Sequence, residues 1–263
     1  MPPLARHGRL RLGPAGLDAA LGGGLALGAL HAITAAGEAR GEGAGTGFAA
    51  CVIARLAGPV LWISPEADLY PAGLIRFGLD PARLLLASPV GDTASLAAME
   101  MGLRAGVTTI GEIGGGEIGA GEIGGGEIGR HKIGRDKIGR NNRLGARRLA
   151  LACLEHGATG FLLIRPIAAS SGQAGRKHAP GLDLSAAFTR WRVAPAPSLA
   201  RHGEPGEPRW HLRLLAARGG TEGEWLVEAN GVKAEGEDDA APALRLASGL
   251  AADAAGPRVR AAG

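Results

Sequence analysis

The sequence is poor in lysine and in aromatic side chains. Of its 29 basic residues only Lys132, Lys137, Lys177 and Lys233 are lysines, so arginine carries nearly all the positive charge. Chemistry that needs a lysine ammonium in the first 131 residues is thereby excluded. Two cysteines, Cys51 and Cys153, form neither a CxxC pair nor a disulfide framework, and both lie in apolar stretches that suit buried, inert thiols. The seven histidines lack metal-ligand spacing, and no serine occupies a Gly-x-Ser-x-Gly elbow. No apolar run approaches bilayer length, and the first residues lack the apolar core of a secretory signal, so the expected location is cytoplasmic. The formal net charge of +4 and the pI near 9.6 permit contact with nucleic acid, although a modest excess spread along the chain also describes a solvated surface.

What the chain has in abundance is glycine, 46 residues of 263, more than one packed core can use. Strand-like apolar runs at 30–34, 60–64, 84–88, 107–110 and 160–165 alternate with helix-like segments at 48–56, 67–77, 93–104 and 144–156. That alternation predicts a parallel sheet covered by helices on both faces. Three further strand-like segments, 187–193, 209–215 and 225–228, predict antiparallel strands that extend the sheet. One domain is expected over 1–234, followed by a mobile tail over 235–263 with room for one short strand. His31, inside a strand, suits a packed role, and Trp191, Trp210 and Trp225 suit packing among the later strands.

Much of the glycine falls in a five-residue repeat over 111–140. Ile113, Ile118, Ile123, Ile128, Ile133 and Ile138 are each followed by Gly, and each is preceded by Glu or, in the last two units, Lys. A five-residue period turns about 140° per step on an α-helix and changes face along a strand, so neither structure gathers the isoleucines into one stripe. The segment 111–142 is expected to be a low-complexity insertion in a surface loop, and removal of 116–140 is expected to leave folding intact.

Residues Gly16-Leu17-Asp18-Ala19-Ala20-Leu21-Gly22-Gly23-Gly24-Leu25, the strand that follows, and the glycine-rich stretch Gly37 to Phe48 resemble the opening of the RecA family. The resemblance implies a RecA-like P-loop α/β fold whose phosphate loop includes Gly37, Gly41, Gly43, Gly45, Thr46 and Gly47. A working loop of this kind needs a lysine at the β/γ-phosphates and a Ser or Thr hydroxyl on magnesium. The lysine is missing in every register, and Glu38 and Glu42 put negative charge where an anion would sit. Arg40 has a planar fork ill suited to a tight loop. The magnesium-binding aspartate expected after the fourth strand is also missing, with Glu112 the nearby carboxylate in its place. Hydrolysis is therefore not expected and no cofactor is assigned. The stretch reads as a strand-to-helix turn, with weak ATP binding through backbone N–H groups as the alternative.

A second resemblance is to the ImuA family. It rests on residues 68–85, on Ala98-Met99-Glu100-Met101-Gly102-Leu103-Arg104, on Arg147-Arg148-Leu149-Ala150-Leu151-Ala152, and on Thr189-Arg190-Trp191-Arg192-Val193-Ala194-Pro195-Ala196-Pro197-Ser198. The match spans about residues 12–228. It implies a non-catalytic accessory protein of SOS-type, damage-induced translesion synthesis, an adaptor with ImuB, an error-prone DNA polymerase and RecA as partners. An arginine-driven single-stranded DNA binder and a weak RecA-like NTPase are the alternatives. In residues 68–85, Tyr70, Leu74 and Phe77 are spaced as a helix stripe for the core. Arg147 and Arg148 are expected near the start of the helix after the repeat, where the dipole disfavours cations, which marks them as a partner or DNA contact. RecA carries DNA-facing loops at positions equivalent to the repeat and to 170–180, but whether either contacts DNA here is left open.

Overall fold

The computed structural model describes residues 7–36, 42–113, 135–165, 184–199, 206–230 and 243–247. Gly37, Glu38, Arg40, Gly41, the middle of the repeat and residues 170–180 lie outside them. In chain order the elements are β1 (Arg9–Leu10), α1 (Ala15–Ala20), β2 (Leu25–Ala26), β3 (Leu30–Ala35), α2 (Glu42–Ile53), β4 (Val60–Ile63), β5 (Leu84–Ala87), α3 (Gly91–Arg104), β6 (Thr108–Ile113), α4 (Arg135–His156), β7 (Gly160–Ile164), β8 (Thr189–Ala196), β9 (Arg209–Ala217), β10 (Gly223–Ala229) and β11 (Leu244–Leu246).

Nine strands form one sheet in the order β11-β10-β9-β8-β3-β7-β6-β4-β5. From β5 to β8 every pairing is parallel, and β9, β10 and β11 continue it in antiparallel fashion. This is the expected α/β architecture, consistent with a RecA-like fold, with one adjustment: β8 runs parallel to β3, and the antiparallel extension starts at β9. The short strand allowed for in the tail is β11, beside which Ala243 and Leu244 are buried.

Side-chain alternation explains why both faces are covered. Along β7, Phe161 and Leu163 join the core beneath α2, whereas Leu162 and Ile164 join the core beneath α3 and α4. On β3, Ile33 goes with the first set and Leu30 and Ala32 with the second. A strand buried on both faces must be apolar at every position, which is why the β7 sequence Gly-Phe-Leu-Leu-Ile is a continuous run rather than an alternating one. Trp62, Trp191 and Trp210 pack in the α2 layer and Trp225 lies half-buried against it, as expected for the last three. The thiols of Cys51 and Cys153 are buried on opposite faces of the sheet, and burial pushes both up to about 12.

The approach to β3 is fixed by a carboxylate and a glycine turn. Asp18 accepts hydrogen bonds from the backbone N–H groups of Leu12 (2.8 Å) and Gly13 (3.2 Å). Gly22, Gly23 and Gly24 all have positive φ, and a Cβ on Gly24 would lie 2.5 Å from the Leu10 carbonyl oxygen. Only glycine fits there.

Three expectations need correction. The helix expected over 67–77, after the second strand-like run, is shorter, a 3₁₀ segment over Pro71–Phe77. Tyr70 precedes a proline and is held extended at φ −101°, ψ 97°, so the helix cannot begin earlier. Tyr70 is accordingly 72% exposed and not part of the core, while Leu74 is buried. The repeat is also not wholly an insertion: 111–113 complete the central strand β6, with Glu112 and Ile113 buried, and 135–142 belong to α4. Residues 135–143 contain a single glycine, so the helix penalty that argued against the repeat fades before its end. Deleting 116–140 would cut into α4. Arg147 and Arg148 therefore sit in the interior of α4, and the helix-dipole argument for them fails.

Candidate functional site

Parallel sheets gather polar groups at the carboxyl ends of their central strands, where side chains and loops meet without a covering helix. Here β3, β6 and β7 end beside a cleft of about 380 Å³. Its lining includes Gly43, Thr46 and Gly47 from α2, Asp68 and Tyr70 from the segment after β4, Glu112 from β6 and Arg165 after β7.

α2 begins at Glu42, six residues before the helix expected from 48 onward, so Gly43, Gly45, Thr46 and Gly47 are helical. Two of these glycines have a packing reason. A Cβ on Gly45 would meet Leu163 at 2.8 Å, and one on Gly47 would meet the Phe77 ring at 2.8 Å and Trp210 at 3.4 Å. Gly43 has nothing within 4 Å and faces open space. Gly43, Thr46, Gly47 and Glu112 are thus brought to one cleft, while Gly45 packs against the sheet.

Glu112 is held from three sides. Its Oε1 accepts a hydrogen bond from Trp62 Nε1 at 2.9 Å, and its Oε2 lies 3.1 Å from Ser64 Oγ and 3.6 Å from a guanidinium nitrogen of Arg165. Ser64 Oγ also lies 3.1 Å from Asp68 Oδ1. One hydroxyl proton cannot serve two carboxylates. Ser64 Oγ is within donating reach of either carboxylate, and a proton on Glu112 would let it donate to Ser64 Oγ while Ser64 donates onward to Asp68. The ionisation tendencies agree. Burial raises Glu112 above the usual carboxylate range against the opposing pull of Trp62, Arg165 and Ser64. The hydrogen bond from Arg165 lowers Asp68.

Arg165 is the hub. It pairs with Asp68, with Glu66 at 3.1 Å and with Glu112 at 3.6 Å. Ala67, between the two acidic residues of that turn, takes a left-handed conformation at φ 52°, and Glu66 and Asp68 on either side of it both reach Arg165. Trp62, Ser64, Asp68 and Arg165 were not singled out from the sequence. The available signal was positional: polar and charged residues directly after two apolar strands that turn out to flank β6. Among the described residues no cluster of His, Cys, Asp and Glu is suited to a metal ion, and no helix is long and apolar enough to cross a membrane.

Arg147 and Arg148 are far from this cleft in the fold, on α4, which packs the opposite face of the sheet. Both are exposed. Arg148 pairs at 2.5 Å with Glu100 of α3, which also pairs with Arg104 at 2.8 Å. His31 is packed as expected: its Nδ1 is 2.7 Å from Thr189 Oγ1, its Nε2 2.8 Å from the Ala26 carbonyl oxygen, and burial pushes it down to about 4.

No protein-family model matches the chain. Protein ImuA of Caulobacter vibrioides strain NA1000 / CB15N is 33% identical over 221 residues, covering 79% of this chain and 78% of the relative. Protein ImuA of strain ATCC 19089 / CIP 103742 / CB 15 matches with the same identity and coverage. With that identity running through most of both chains, and the α/β sheet described above beneath it, the chain belongs to the ImuA family.

Proposed function

We propose that this protein is a non-catalytic accessory factor of damage-induced mutagenesis, built on a RecA-like scaffold whose nucleotide site has been given over to structure. One observation carries the reading. Among the described residues the cation at the cleft is Arg165, and it is already shared by Glu66, Asp68 and Glu112. Among the described residues a triphosphate placed there would meet three carboxyl groups and a guanidinium already engaged by them, and the lysine that normally binds the β/γ-phosphates is absent from the sequence before Lys132. Glu112, engaged by Trp62 and Ser64 and raised by burial above the usual carboxylate range, is poorly placed to hold magnesium, which wants ionised oxygen ligands in near-octahedral geometry.

The role that remains is one of surfaces. Following the family resemblance, the protein acts as an adaptor that joins ImuB, an error-prone DNA polymerase and RecA during translesion synthesis. The test is complementation. A strain lacking its own ImuA regains damage-induced mutation when given this chain, and regains it equally with Thr46→Ala or Glu112→Gln. Failure of the unmodified chain to restore mutation frequency, despite normal expression and partner proteins from its own source, overturns the role. Restoration by the wild type alone overturns the non-catalytic part of it.

A further inference from the structure

The sheet is covered unevenly. The core beneath α3 and α4 draws on β3, β4, β6 and β7, and none of its described members lies on β8, β9, β10 or β11. On those four strands Trp191, Val193, Leu212, Val227 and Leu244 turn toward the α2 side. Alternation puts their neighbours on the opposite face, which no described helix covers. Three rows of side chains cross that face. In the first, Arg192 stands directly opposite Arg213, and Arg213 opposite Glu224. Like charges in direct register repel across a strand pair, and Arg213 pairs with Glu224 at 3.0 Å, so no second carboxylate serves Arg192. Arg190, two residues back along β8 or about 7 Å, adds another exposed guanidinium. Neither Arg190 nor Arg192 has an ion pair among the described residues. The second row, Ala194, His211 and Leu226, is a small break in the charge, with Leu226 half-buried. The third is closed: buried Glu228 binds Arg209 and Arg245 on either side.

We infer that this bare half of the sheet, centred on Arg190 and Arg192, seats an acidic segment of a partner protein. The strip from β8 to β10 is about 10 Å across, the width of one helix with its side chains. Charge complementarity sets the chemistry of the occupant. Two guanidinium groups without a carboxylate, held on a rigid sheet, accept carboxylates in paired hydrogen bonds, and arginine is enriched at protein interfaces for that reason. The pattern around them favours a polypeptide over a polyphosphate. Glu224, exposed beside Arg213, repels a row of phosphates, and Ala194 and Leu226 offer phosphates nothing. Trp191 and Trp210 lie on the buried side of their strands, so no tryptophan of β8 or β9 stacks a base on this face. A polypeptide meets all of it: two carboxylates reach Arg190 and Arg192, an apolar side chain rests on Leu226, and nothing acidic need face Glu224. The place of such a contact in mutagenesis rests on the adaptor reading above.

The experiment is fluorescence anisotropy of the purified full chain at low salt with a short labelled peptide of repeating Asp-Glu-Leu, and with an oligodeoxythymidylate of equal charge as the comparison probe. The wild type binds the peptide, and binds it more tightly than the oligonucleotide. Arg192→Glu weakens peptide binding about tenfold or more. Glu224→Gln, which removes the opposing carboxylate and releases Arg213, tightens it. Arg76→Glu changes the net charge as much as Arg192→Glu does, but from an exposed position in the segment that packs on the α2 side, and leaves binding unchanged. Melting temperatures of all three variants match the wild type, since each changed side chain is exposed. Absence of peptide binding, tighter binding of the oligonucleotide, or an equal loss in Arg76→Glu and Arg192→Glu would each overturn the inference. So would self-association of the chain that Arg192→Glu abolishes, because the occupant would then be a second copy. A failed peptide assay leaves the complementation result standing, and failed complementation leaves a measured peptide affinity standing, so the two readings fall separately.

Discussion

Replacing Glu112 by Gln tests the hydrogen-bonded chain at the cleft. The amide keeps an oxygen to accept from Trp62 Nε1 and offers an NH₂ to Ser64 Oγ, whose own proton stays with Asp68, so Gln mimics a protonated glutamic acid. The fold should tolerate it within about 1 kcal/mol at neutral pH, because no buried donor loses its partner. Glu112→Ala differs: it leaves the buried Trp62 N–H without an acceptor and opens a void, at a cost of about 2–4 kcal/mol. The pH dependence has a definite sign. Burial raises Glu112 in the folded state above its ordinary 4.5. Its contribution to stability is therefore fully present below that value and is lost as pH rises through the raised folded value, because the unfolded chain ionises first. Asp68, lowered by Arg165, works in the opposite sense and loses its contribution as pH falls. Taking wild type minus Glu112→Gln at each pH removes most of the Asp68 part. Urea unfolding from pH 4 to 8 should show Glu112→Gln gaining on the wild type as pH rises. A variant that instead loses ground steadily above pH 5 would show that Glu112 is an ionised partner of Arg165, and the proton arrangement would be wrong.

Two further perturbations follow from the same geometry. Gly43→Ala, in open space on a helix, should stabilise by up to about 1 kcal/mol, whereas Gly47→Ala, which drives a methyl into Phe77 and Trp210, should cost about 1–3 kcal/mol; equal melting temperatures would contradict the packing of α2. His31 accepts at Nδ1 from Thr189, whose hydroxyl accepts from Trp191 Nε1 at 2.7 Å, and donates at Nε2 to Ala26. Its shift from 6.5 to about 4 makes the stability it contributes fall as pH drops through that window, by about 3 kcal/mol in all. His31→Gln should flatten that part of the pH profile, and an unchanged profile would exclude His31 as its source.

The sheet was legible because its signals are local. Continuous apolar runs such as 160–164 state burial on both faces, and the glycine triplet and Asp18 state the turn before β3. The ends of elements were less so. Pro71 held Tyr70 out of a helix stripe that spacing alone suggested, and the Ile-Gly repeat hid the fact that its first unit finishes β6 and its last begins α4. The cleft was half visible. Thr46 and Glu112 could be placed through the resemblance, but Arg165, Asp68 and Ser64 meet only because β4, β6 and β7 lie side by side, a non-local fact that no spacing in the chain encodes. Arg147 and Arg148 were noticed for a reason that failed, the dipole at a helix start; both are exposed in the interior of α4, and Arg148 shares Glu100 with Arg104.

The central claim is that the cleft serves structure and not nucleotide chemistry, and thermal unfolding with millimolar magnesium-ATP tests it most directly. A ligand at a hundred times its Kd stabilises by about 2.7 kcal/mol, a shift of several degrees. The account predicts no measurable rise in Tm and no phosphate release above a protein-free control. A rise of several degrees that disappears in Thr46→Ala would show that the cleft still binds nucleotide and would contradict it.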